Sequence, residues 1–260
     1  MKSRLPKLIL VLIAITVAGS FIVAPHEAHA SCSLTSFSAT DCVDELTAWI
    51  FNVIIQGVMV LWLTLAGTLL NAAPAHSVEL STVQAAIYSA VSIYPPTAQR
   101  MTVCYSFVCR RREMLDFTAG DRAALTRILA AGHASAATER AAVQKAVIWF
   151  DRRMGPIIGT DKRVAKADIR AFDDKHNFDC WDTTRNTMSL LLVLQEWGLL
   201  KFHVVGDPRY RGNALVLQTP HNTAVLIDRA TKVEWVVDLW PRGYAQPPDV
   251  MPVEKWVTED

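Results

Sequence analysis

Cys180 stands in the stretch Phe178-Asp179-Cys180-Trp181-Asp182-Thr183-Thr184-Arg185-Asn186, just ahead of the apolar run that ends at Trp197. A packing cysteine belongs inside such a run, whereas this one sits at its mouth. A thiol is a poor nucleophile until it ionises. The first turn of a helix offers unpaired N–H groups and the positive end of the helix dipole, both of which favour a thiolate. A neighbouring imidazole would take the thiol proton and pass it to a leaving group. The chemistry at stake is nucleophilic attack by sulfur, and it requires a well-placed histidine.

Of the seven histidines, His26 and His29 belong to the apolar N-terminal region, and His76 and His133 to early segments. His176 lies in the loop entering the Cys180 helix, and His203 in a strand-like run where burial competes with reactivity. His221 is the candidate base. With Asn222 it leads into Thr223–Asp228, which the turn Arg229–Lys232 joins to Val233–Asp238. If residue 228 pairs with 233, residue 223 faces 238. Side-chain direction repeats every two residues, so an extended Asn222 puts His221 diagonal to Asp238 on one face. Asp238 would then hold the ring tautomer while the other ring nitrogen addresses Cys180. A slip of one residue would undo this.

The carboxylates beside the thiol are expected to point away from it, because negative charge opposes thiolate formation; Asp179 suits a helix cap and Asp182 the first turn. Trp181, Trp235 and Trp240 are candidates for a groove lining or for core packing.

The elements that must position these residues follow from hydrophobic period. Helices are expected within residues 77 to 100, over VELSTVQAAIYSAV and cut off by Pro95-Pro96, over Asp121–Leu129, from about Thr138 to Met154 with Gly155-Pro156 as the stop, and from Trp181 to Trp197 with Gly198 as terminator. Residues 159 to 177 are polar, a loop or short-helix region. Strands are expected at Leu199–Val205, Ala214–Gln218, Thr223–Asp228 and Val233–Asp238. Helices first and a small antiparallel sheet after them make an α+β fold.

The phrases DCWDTTRNT, HNTAVLIDRATKVEWVVDLW and PPDVMP resemble the bacterial transglutaminase-like cysteine peptidase superfamily, over about residues 100 to 260. The resemblance implies a papain-like core, with Cys180 as nucleophile, His221 as base and Asp238 as the orienting acid. It implies a thiol peptidase, amidase or acyl-transferring enzyme that passes through an acyl-thioester, with a peptide or protein amide as substrate. A tethered binding or scaffold domain with the same fold and no turnover is the alternative.

Net charge is +1, from 26 basic and 25 acidic residues, which provides no field for nucleic acid. Arg110-Arg111-Arg112 is soon followed by Glu113 and Asp116, a solvated patch. No cofactor motif or metal-ligand set is apparent, so none is expected. Five cysteines leave one unpaired within the chain: Cys32 with Cys42 and Cys104 with Cys109 could close short loops, which would leave Cys180 over. No CxxC occurs to suggest redox catalysis.

The N-terminus carries its own expectations. Residues 1–30 have a basic start, an apolar run and Ala28-His29-Ala30, as in an export signal or a first membrane anchor. Residues 31–48 form a polar loop. The uncharged residues 49–70 would span about 33 Å as a helix, enough to cross a bilayer, so lipid is an expected partner and the chain is expected at a membrane. Two crossings would return residues 77–260 to the cytoplasm, while the cysteine pairs and a second small-x-small site at Ala73-Pro74-Ala75 favour the periplasmic side. Nothing here sets the oligomeric state.

Overall fold

The computed structural model describes residues 50–51, 53–62, 78–167, 170, 173–213, 215 and 218–258. The chain divides into two units, Met1–Ala73 and Pro74–Asp260. In the first, residues 50–51 and 53–62 are helical and expose their apolar side chains. Among the described residues no helix is long and apolar enough to cross a membrane. The expected signal or anchor at 1–30, the loop at 31–48, much of the expected span at 49–70 and the Cys32–Cys42 pair lie outside the described residues.

The second unit is α+β. It opens with helix α1 (Thr82–Ser89) and a hairpin of β1 (Arg100–Tyr105) and β2 (Arg111–Asp116). Helices α2 (Ala119–Ala130), α3 (Ala136–Ile158) and α4 (Cys180–Glu196) follow. The sheet comprises β3 (His203–Val205), β4 (Arg209–Arg211), β5 (His221–Asp228), β6 (Glu234–Asp238) and β7 (Asp249–Pro252), and a last turn of helix, α5 (Val253–Trp256), ends the described fold. Strand order is β3-β5-β6-β7, with β4 also paired to β5, and all pairings are antiparallel. Val205 pairs with Leu226 but Arg209 with Thr223, so that edge carries one extra residue between β3 and β4, as in a bulge.

Helix α4 is the centre of the unit. Every residue from Asp182 to Leu194 is buried, so the helix is enclosed on all sides rather than amphipathic. Leu190, Leu191, Leu192 and Leu194 are at most 1% exposed, each contributing about 1.5–3 kcal/mol of burial. Several of its polar residues find fixed partners, while Thr184 Oγ1 and Thr187 Oγ1 are buried without one. Asn186 accepts from Cys104 N at 2.8 Å and donates to Cys104 O at 2.7 Å. Arg185 Nε donates to Ile87 O, and Ser189 pairs with Tyr88. At the end, Gly198 N bonds Gln195 O and Leu199 N bonds Leu194 O, with Gly198 at φ +69°. This paired pattern with a left-handed glycine satisfies the last carbonyls.

Several local expectations differ from the fold. Helix α3 runs through Gly155-Pro156 to Ile158 and is stopped by Gly159 at φ +74°. Pro156 lies within its last turn, and Tyr244 packs so close to Gly155 that an added Cβ would lie 2.5 Å from the ring; tertiary packing overrides the local stop. The β1–β2 hairpin, β4, β7 and α5 were not anticipated. The strand expected at 214–218 is not formed at the described residues 215 and 218, and the one expected at 199–205 is confined to His203–Val205.

Candidate active site

Cys180 is the first residue of α4. Asp179 caps the helix, its Oδ1 accepting from Asp182 N at 2.7 Å. Its Oδ2 accepts from Val108 N, also at 2.7 Å, so one carboxylate both starts the helix and grips a distant loop. That loop is closed by the Cys104–Cys109 disulfide, and Cys180 is a free thiol. Ser106, Phe107, Val108 and Cys109 all have positive φ, between 51° and 67°. Four successive L residues in this region are costly, and the conformation is held by the crosslink and by N–H groups aimed at the helix start. Cys109 N donates to Asp182 Oδ1 at 2.7 Å, and Ser106 N to Asn177 O at 3.0 Å.

The β5–β6 register pairs Ala224 with Val237 and Ile227 with Glu234, and Asp228 N bonds Val233 O; continued, it sets 223 against 238. Strand β5 begins at His221, so the extended backbone reaches back through Asn222. His221 Nε2 lies 2.6 Å from Asp238 Oδ2, both side chains being 2% exposed. Trp256 Nε1 donates to the same oxygen at 2.9 Å. The His221 ring packs against Trp240, with centroids 4.6 Å apart, and Trp256, at 5.5 Å. Trp240 is placed by the polar segment after α3, since its carbonyl accepts from Lys166 N. That segment is anchored by the buried Arg163–Asp151 ion pair.

The backbone N–H of Asn222, the residue after His221, acts to lower the Cys180 thiol pKa, and Asp238 acts to raise it. Among the described residues His221 Nδ1, the ring nitrogen turned away from Asp238, is buried with no hydrogen-bond partner. The structure thus joins His221 to Asp238 and sets Cys180 against the neighbouring backbone, without a hydrogen bond between sulfur and imidazole.

The electrostatics correct one expectation. Burial, foremost, and then Asp179 push the Cys180 thiol up to about 11, with Asp238 adding to the rise, against the lowering effect of the Asn222 N–H. The helix terminus does not by itself produce a thiolate here, because desolvation and two carboxylates outweigh it. Asp179 caps the helix and Asp182 lies in its first turn, as expected, but the charge of Asp179 is not turned clear of the sulfur. Both are buried acceptors for the disulfide loop, and burial followed by Asp179 holds the Asp182 carboxyl well above the usual range.

The other candidates fall elsewhere. His203 is fully buried and bonds Glu139 at 2.8 Å, and His176 bonds Gly159 O from an exposed loop. Trp181 and Trp235 pack against the core, while Trp240 faces His221. Trp256 escaped sequence reasoning, since its four-residue helix has no periodicity to mark it. Cys104, Cys109 and Asp182 bring three potential ligand atoms within 4.8 Å, but the disulfide occupies both sulfurs and leaves one carboxylate, too few donors for a metal centre. Comparison of the chain with protein-family models, with curated proteins and with solved structures finds no match.

Proposed function

We propose that this protein is a thiol-dependent hydrolase or acyltransferase acting on peptide or side-chain amides, with a transglutaminase-like, papain-like core. One observation carries the reading: a buried His221–Asp238 pair at 2.6 Å whose outer ring nitrogen is unpartnered, in the strand whose next residue, Asn222, acts on the Cys180 thiol through its N–H. Asp238 fixes the tautomer with Nε2 as donor, leaving Nδ1 as base.

In the proposed cycle the amide substrate seats against Cys180 and Nδ1 takes the thiol proton as the C–S bond forms. The carbonyl electron pair moves to oxygen, where backbone N–H groups at the helix start stabilise it. The imidazolium protonates the amine, the C–N bond breaks and an acyl-thioester remains. Water or a second amine then gives its proton to Nδ1 and attacks the carbonyl. The C–S bond breaks, and the sulfur recovers the proton.

The second reading is a binding or scaffold domain without turnover, tethered to a membrane by the apolar segments before residue 74. The high thiol pKa and the missing sulfur–imidazole hydrogen bond favour it. Incubating purified protein with a panel of peptide amides separates the two. The enzyme reading expects amine release and a mass increase confined to Cys180, both abolished by Cys180→Ala. Binding without adduct or release across the panel selects the scaffold. Reporter fusions after residue 76 and at the C-terminus test the expected membrane association and periplasmic side.

A further inference from the structure

We infer that Trp256, on the last described helix, is a positioning residue for His221, acting through Asp238. This rests on the catalytic reading above and extends it to a part of the chain that the resemblance does not single out.

Asp238 Oδ2 receives two donors, His221 Nε2 at 2.6 Å and Trp256 Nε1 at 2.9 Å. A carboxylate with one donor can rotate about its χ2 torsion and present either oxygen to the ring. A second donor, carried on a rigid indole, holds one oxygen in place. The same indole packs against the imidazole, its centroid 5.5 Å away with the planes inclined at 52°. Trp240 packs against the imidazole as well, at 4.6 Å, so two indoles restrict the ring while Asp238 sets its protonation pattern.

Trp256 is itself held in place. It is 1% exposed. The Arg211 guanidinium sits over its ring at 4.5 Å and also donates to its carbonyl oxygen. Arg211 is the register partner of His221 between β4 and β5. The contacts form a closed circuit from β4 to α5, from α5 to the end of β6, and from β6 back to the start of β5. Helix α5 has four residues and no side-chain cap, far too short to persist alone. Its conformation depends on this docking, so the C-terminal segment is committed to holding the His221–Asp238 pair.

The test uses the full-length protein and Trp256→Phe, which keeps an aromatic ring in the site but deletes the N–H together with part of the indole. Two readouts are taken. Nitrogen-15 correlation spectra report the His221 tautomer, and peptide-amide kinetics report kcat and KM. The expected result is a single Nε2–H tautomer in the wild type, a mixture in Trp256→Phe, and a kcat reduced about 10- to 100-fold with KM within about twofold. Trp256→His, which can restore a ring N–H donor, should recover part of the loss.

Wild-type tautomer and wild-type kcat in Trp256→Phe overturn the inference. If the wild type shows no turnover, the catalytic reading fails by itself and the tautomer spectra still decide whether Trp256 orients the ring. If Trp256→Phe does not fold, the indole N–H resonance of Trp256 is followed in the wild type and in Asp238→Asn. A resonance that does not move overturns the inference, and one that shifts while the other indoles stay in place supports it.

Discussion

The Asp179 carboxylate binds Val108 across 71 residues of sequence: its Oδ2 accepts the Val108 N–H at 2.7 Å while its Oδ1 caps the helix that carries Cys180. The position of the thiol is thereby tied to the left-handed turn at 106–109 and to the disulfide that closes it.

Reducing the Cys104–Cys109 bond should loosen that turn. The bridged residues are five apart in sequence, and for so short a loop chain entropy alone predicts a loss of about 2 kcal/mol. Urea unfolding with and without a dithiol reductant measures it. Amide exchange at Val108 and Cys109 should speed up in the reduced protein, since their acceptors are the two acids at the helix start.

Two substitutions should affect the thiol in the same direction and turnover to different extents. Asp179 and Asp238 both raise the Cys180 pKa, which burial has already raised. Asp179→Asn and Asp238→Asn should each lower it, so alkylation by iodoacetamide at pH 8 should become several-fold faster, with Cys180→Ser as the background. Asp238→Asn should nonetheless lose about 10³–10⁴-fold in kcat, because the wrong ring tautomer is then favoured. Asp179→Asn keeps one oxygen to cap the helix but gives up the second acceptor that holds Val108 N, so its kcat should fall, though by less than that of Asp238→Asn. A slower alkylation in both would refute the electrostatic account.

The buried Asp182 should make the fold sensitive to pH. Its folded pKa lies above the ordinary value of 3.8, chiefly through burial and then through Asp179. A group raised in this way contributes its stability in full below the unfolded pKa and loses it as pH rises through the folded one. Asp182→Asn leaves an oxygen to accept from Cys109 N and carries no charge. Its stability should fall less than that of the wild type between pH 4 and pH 9, by about 1 kcal/mol or more, as read from thermal or urea unfolding across that range.

Breaking the Asp151–Arg163 pair should be costly at a distance from Cys180. Both side chains are at most 3% exposed, and Arg163 also donates to Arg242 O at 2.6 Å. Asp151→Leu strands a buried guanidinium, which costs about 3–5 kcal/mol. It should also change the fluorescence of Trp240, which follows Leu239 into the Arg242 turn. Removing both partners together should cost less than removing Asp151 alone.

Much of the site was written locally. Asp179 followed by Cys180 and a long apolar run specifies a capped helix start, because a short acid satisfies orphan N–H groups and the leucines need burial. The two β-branched-rich runs joined by the four-residue turn Arg229–Lys232 suggest a hairpin, and pairing 228 with 233 across that turn sets 223 against 238. Those two patterns placed the thiol at a helix terminus and the imidazole beside an acid with no information from elsewhere in the chain. The α+β order was legible for the same reason.

The rest depended on contacts between residues far apart in sequence. Gly155-Pro156 resembles a stop and is helical, since Tyr244, nearly 90 positions on, packs against the glycine. The charged strand β2 exposes five of its six residues and has no alternating apolar pattern to announce it; pairing with β1, itself held by Asn186, makes it a strand. Trp256 has no local signature at all. The state of the Cys180 thiol was decided in the same way, because a helix dipole can be inferred from neighbours in sequence, whereas desolvation and the approach of Asp238 exist only once the chain has folded. By itself the sequence determined which groups could react and which elements carry them; the tertiary structure alone decided their solvation and mutual orientation, because both are properties of distance in space.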